Sequence, residues 1–142
     1  MLAWLIEDQP HDRSIAVREF TSLWGTNARL LLSKGAQWPP SFHGARLSAD
    51  CRSPDVVVLD VFHGATYTAR RFYEAFREWE GGSANAWLIV WGNYRWLESA
   101  GLFFDQQLTR DPRLILCPVK SADLLRQALR KARLDPWSAS SA

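Results

Sequence analysis

No stretch of this chain approaches the run of about eighteen apolar residues that a membrane-spanning helix requires. Its first apolar run, Leu2-Ala-Trp-Leu-Ile6, meets Glu7 and Asp8 before a signal-peptide core can form, so the expected location is the cytoplasm. Cysteine is scarce as well. Cys51 and Cys117 are the two in the chain and neither belongs to a metal-type pair, which excludes a disulfide framework and leaves reduced thiols as the expectation. His11, His43 and His63 lack the spacing of a zinc site, and no Ser/His/Asp or Cys/His arrangement points to hydrolase chemistry. A surplus of one charge is missing too. Seventeen basic side chains against fifteen acidic ones leave a net charge of +2, too little to argue for a nucleic-acid partner.

What the chain does have is tryptophan, eight of them in 142 residues, and a length suited to one core. Residues 1–134 read as a single domain and 135–142 as a tail or the start of a linker. Residues 120 to 134 carry Lys120, Arg126, Arg130, Lys131 and Arg133 against Asp123 alone, which makes a basic last helix whose charged face is expected to be solvated.

Hydrophobic patterning alternates strand and helix. Leu2–Ile6 is a continuous apolar run of the kind that forms a strand buried on both faces. Pro10 suits the first turn of a helix, and Ala16, Phe20, Leu23 and Trp24 continue it until Gly25. Residues 28–32 read as a second strand and 33–44 as a long loop, with a brief helix before Pro54. Asp55-Val-Val-Val-Leu-Asp60 reads as a central parallel strand. An amphipathic helix follows over Ala69–Trp79, then a strand at 86–91, a bent helical region between Asn93 and Leu108, a strand at 114–117 and a final helix capped by Ser121. The fold class is therefore α/β: a three-layer sandwich with a doubly wound, five-stranded parallel sheet of (βα)5 type.

In such sheets ligands lie outside the carboxyl ends of the strands. Glu7, Asp8 and Asp60 all stand there, and oxygen ligands of that kind suit a hard cation such as Mg2+. Two acids after the first strand and one after the Val-Val-Val-Leu strand resemble the receiver domain of bacterial response regulators, over Leu2 to about Leu134. The resemblance implies that Asp60 is the acceptor of a phosphoryl group from a histidine kinase. It also implies that Asp8, assisted by Glu7, holds Mg2+ with Asp60. At most, such a domain catalyses its own aspartyl phosphorylation and dephosphorylation.

Two positions depart from that family. It places a small hydroxyl residue where Trp91 stands, and a lysine before a proline where Cys117 precedes Pro118. Lys120 is the nearest candidate to compensate, but three residues beyond the strand its place reads as the solvated start of the last helix. His63, where the family has an apolar residue and then a proline, reads as a loop residue. These departures imply an atypical receiver, a regulatory interaction module largely independent of phosphorylation. The alternatives are a working phosphoacceptor at Asp60 and a flavodoxin-like small-molecule-binding domain. The last is the weakest, because no glycine-rich phosphate loop follows the first strand and Glu7-Asp8 would repel a phosphate. Trp96, Phe103, Phe104, Arg126 and Arg130 are candidates for a homodimer contact on the face that the family builds from its fourth helix, fifth strand and fifth helix. A kinase or an output domain is the other partner implied, and direct DNA binding by this domain is not expected.

Overall fold

The structure is a computed structural model that describes residues 2–7, 9–25, 29–33, 54–60, 62–63, 67–68, 73–74, 76–77, 86–92 and 111–134. In chain order these hold β1 (Leu2–Ile6), α1 (Pro10–Trp24), β2 (Arg29–Ser33), β3 (Val56–Leu59), β4 (Phe62–His63), β5 (Tyr67–Thr68), β6 (Trp87–Trp91), β7 (Leu114–Cys117) and α2 (Ala122–Leu134). The expected helix over 45–51, the bent region over 93–108 and the tail at 135–142 lie outside the described residues.

Five strands form one sheet in the order β2-β1-β3-β6-β7, and every neighbouring pair is parallel. The chain adds β2 on one side of β1 and β3 on the other, so the order reverses at the β1/β3 pair. That reversal opens a crevice at the carboxyl ends of these two strands. Their register sets Ile6 beside Leu59, which delivers Glu7 and Asp60 to the same edge. At the opposite end Asp55 ties the strands together: its Oδ2 accepts the Leu2 N–H at 2.8 Å, its own N–H donates to Leu2 O, and its carbonyl accepts the Trp87 N–H.

The pleat sends Ala3, Leu5, Val56, Val58, Trp87, Ile89, Trp91 and Cys117 to one face, where they form a buried core with Ala16 and Phe20 of α1 and Leu125, Ala128, Leu129 and Ala132 of α2. The α2 contributors recur at helical spacing, so the helix buries one stripe and leaves its charges outward. Alternate residues Trp4, Ile6, Val57, Leu59, Leu88 and Val90 are buried as well, as strands covered on both faces must be. Tyr73 and Phe76 are buried on helical backbone within the segment expected to be the second helix. Arg77 anchors that backbone to the amino ends of β6 and β7, donating to Ala86 O at 2.6 Å, to Arg113 O at 3.2 Å and to Asp111 at 3.1 Å.

The helix ends follow their sequence signals. Pro10 occupies the first turn of α1, and Gly25 ends it at φ +58°, a conformation that suits glycine. Ser121 caps α2, its Oγ accepting the Leu124 N–H at 3.1 Å. One expectation fails directly after Asp60. His63, read as a loop residue, lies in a two-residue antiparallel ladder, with Phe62 opposite Thr68 and His63 opposite Tyr67. Phe62, Tyr67 and Thr68, aromatic and β-branched, favour that ladder.

Candidate functional site

The apolar run of β1 ends where Glu7 begins, and Glu7 is 1% exposed. Its backbone carbonyl accepts two hydrogen bonds from the Arg13 guanidinium, at 3.1 and 3.0 Å, and its Oε1 accepts the Gln9 N–H at 3.0 Å. Asp60 follows β3 at the neighbouring strand end. Asp12, in the first turn of α1, completes a set of three carboxylates.

All three close on one cation. Lys120 Nζ lies 2.8 Å from Glu7 Oε2, 2.9 Å from Asp12 Oδ2 and 2.7 Å from Asp60 Oδ2, with its own side chain only 9% exposed. An ammonium has three protons, and this geometry gives each a carboxylate acceptor. A tight turn makes the reach possible: Ser121 N–H donates to Val119 O at 2.8 Å, which folds Lys120 back over the strand ends. The expectation that Lys120 sits in solvent is therefore corrected. Counting residues beyond a strand does not register a reversal of the chain.

Burial pushes the Glu7 carboxyl above the usual carboxylate range. Lys120 and the Gln9 N–H pull it down, and the nearby Asp60 carboxylate adds to the rise. For Lys120 burial acts against the charge, but the hydrogen bonds to Asp60, Glu7 and Asp12 outweigh it and hold the ammonium above the ordinary lysine range.

Trp91 sits in the core at 1% exposure, on the face covered by α1 and α2. Its indole N–H donates to Ser121 O at 2.9 Å, and Lys120 Nζ stands 5.6 Å from the ring centroid. The residue at the position of the family's hydroxyl thus supports the segment that carries Lys120. Cys117 pairs with Trp91 across the sheet and is a buried free thiol, 3.8 Å from Leu124 O, pushed by burial up to about 11. It is a packing residue.

Arg126 points toward α1 and holds both oxygens of Glu19 at 2.8 Å, with Asp123 at 3.1 Å. That contact holds Glu19 below the usual carboxylate range and commits Arg126 to an intramolecular pair. Arg130 is exposed on the same helix. Asp8, Trp96, Phe103 and Phe104 lie outside the described residues.

Carboxylate oxygens are the donors a hard divalent cation takes, so the chemistry of the set suits Mg2+. The geometry suits an ammonium: the three oxygens converge on Lys120. Among the described residues no group of three or more His, Cys, Asp or Glu side chains is arranged to hold a metal ion. Asp12 was not singled out in the sequence. Its signal was there, since Pro10 at the helix start sets Asp12 in the first turn, one turn of chain past Glu7.

No family model and no curated protein matches the sequence. Solved structures do share its fold. The Mn2+-bound form of response regulator Rcp1 superposes with a TM-score of 0.62 at 10% identity, covering 92% of this chain and 91% of that one. The phosphorylated cyanobacterial phytochrome response regulator RcpA superposes with a TM-score of 0.62 at 12% identity, covering 94% of this chain and 89% of that one. The chain therefore has the response-regulator receiver fold, with the five-stranded parallel sheet expected from its sequence. Among the described residues no helix is long and apolar enough to cross a membrane.

Proposed function

We propose that this domain is an atypical receiver, a signalling module that regulates through protein contacts and is largely independent of phosphorylation. The observation that carries this reading is the placement of Trp91. A phosphoryl-driven switch needs a group that gains a contact in one state and loses it in the other. The indole, by contrast, is sunk in the core and bonded to Ser121 O at 2.9 Å, with no hydroxyl to offer. The output then rests on docking. A homodimer is the arrangement we favour, and light scattering at high protein concentration tests it; a monomer rejects it.

A second reading has its own support. Lys120 reaches Asp60 at 2.7 Å, so the charge that Cys117 cannot supply comes from elsewhere in the chain. Phosphoryl transfer to a carboxylate relies on positioning and charge compensation, and a lysine on Asp60 contributes to both. Rcp1 and RcpA are described as Mn2+-bound and phosphorylated respectively, which motivates the same test here. The protein is incubated with Mg2+ and acetyl phosphate and weighed intact. No adduct supports the atypical reading. A single phosphoryl adduct that disappears in Asp60→Asn overturns it in favour of the phosphoacceptor.

A further inference from the structure

Most acidic pockets gather carboxylates around solvent or an ion from outside. Here the pocket is filled from within the chain. We propose that Lys120 is its resident cation, holding the place a divalent ion would need, and that Trp91 is the positioning residue that keeps it there.

Three observations combine. First, Glu7 Oε2, Asp12 Oδ2 and Asp60 Oδ2 lie 2.8, 2.9 and 2.7 Å from one Nζ, so the lone pairs aimed into the pocket already face an ammonium. A divalent ion entering among them would meet a like charge at contact distance, and like charges that close repel strongly beside a half-buried pocket. Lys120 must therefore withdraw before such an ion can bind.

Second, Lys120 is not free to drift. The Trp91 ring lies 5.6 Å from its Nζ, and the indole N–H donates to the carbonyl of the next residue, Ser121, at 2.9 Å. One side chain touches both the charged tip and the backbone beside its root.

Third, Ser121 is where α2 begins. Its carbonyl also accepts the Leu125 N–H at 3.2 Å and its hydroxyl accepts the Leu124 N–H at 3.1 Å. Withdrawal of Lys120 removes the ammonium from the indole face while that indole holds the first turn of α2. Occupancy of the pocket is thereby linked to the start of the helix through Trp91, which stands at the position where the family resemblance expects a hydroxyl.

This rests on the proposed reading of the chain as an atypical receiver. Metal affinity, however, is read without any phosphodonor, so it can fail while the phosphorylation test succeeds, and the reverse.

The experiment titrates MgCl2 alone into the full chain by calorimetry and follows the 15N-labelled indole resonance of Trp91, identified by its loss in Trp91→Phe. Lys120→Met, which keeps the length and removes the charge, is expected to bind Mg2+ about tenfold or more tightly than the wild type. Equal or weaker affinity in the variant, including no binding at all, overturns the claim that Lys120 holds the ion's place. Trp91→Phe keeps a ring but loses the N–H, so it serves as a second variant if Lys120→Met does not fold. It is expected to bind Mg2+ severalfold more tightly than the wild type, and unchanged affinity overturns the positioning role. In the wild type the Trp91 indole resonance should move in step with Mg2+ binding; an indole that stays still while Mg2+ saturates overturns the link to α2.

Discussion

Lys120 and Asp60 meet at 2.7 Å across the carboxyl ends of the sheet, although 60 residues of chain separate them. The meeting sets one ammonium against three converging carboxylates, and it pulls back the Glu7 carboxyl that burial raises.

Because the Asp60 carboxylate pushes the Glu7 carboxyl up, removing that charge should let it fall back. Asp60→Asn is expected to lower the pKa of Glu7, read by carbon-detected titration of the Glu7 side chain. A rise, or no change, would mean that the two carboxylates do not share one field.

The raised pKa of Glu7 also has a sign in stability. A carboxyl raised by folding stabilises the protein while neutral; that contribution is complete below the ordinary glutamic value of about 4.3 and is lost as the pH climbs through the raised folded value. The wild type should therefore compare best with Glu7→Gln near pH 4 and lose ground by pH 7.5. Thermal melts of both at the two pH values check it, and a difference independent of pH rejects it.

Ser121 holds α2 through its hydroxyl on the Leu124 N–H. Ser121→Ala removes the cap and should cost about 1 kcal/mol by urea unfolding. A change within error would show that the first turn is held by the Ser121 carbonyl alone.

Under the amino ends of β6 and β7, Asp111 accepts the Tyr73 hydroxyl at 2.6 Å and Arg77 at 3.1 Å, with the two charged side chains only 18% and 13% exposed. Burial opposes the Asp111 charge, and Tyr73, the Arg113 N–H and Arg77 outweigh it, holding the carboxyl below its usual range. Asp111→Ala removes the carboxylate that Arg77 and Tyr73 share and should cost about 3 kcal/mol by denaturant unfolding. A loss of only a few tenths would show that Arg77 is held well enough by its other contacts, the Ala86 and Arg113 carbonyls among them.

Cys117, buried and pushed up to about 11, should resist thiol reagents at pH 8 in the folded protein and react once it is unfolded. A Cys51→Ser background isolates the signal. Rapid labelling of the native protein would contradict its place in the core.

The sheet was legible because its strands are continuous apolar runs broken by an acid or a glycine. Leu2–Ile6 before Glu7, Val56–Leu59 before Asp60 and Trp87–Trp91 before Gly92 each leave one reading of where a strand stops and which edge is functional. Lys120 was not legible. A lysine three residues past a strand looks solvated unless one knows that the Val119–Ser121 turn reverses its direction, and that turn has no glycine to announce it. Trp91 was half legible. An indole where the resemblance expects a small hydroxyl is visible in the sequence, but the partner of its N–H is a backbone carbonyl 30 residues away, which no local pattern encodes. The β4–β5 pairing was missed for a simpler reason, since two-residue strands are too short to show alternation.

The indole of Trp91 also limits how this protein can change over time. A single substitution to serine or threonine would introduce a hydroxyl at the end of β6, yet it would also empty the space of a large buried ring, a loss of about 3–5 kcal/mol, and deprive the Ser121 carbonyl of a donor. The step toward a hydroxyl-based switch therefore runs through a destabilised intermediate. Only a chain that first refilled the core between β6 and α2 could take it, which makes Trp91 a ratchet in sequence space as well as a brace in the fold.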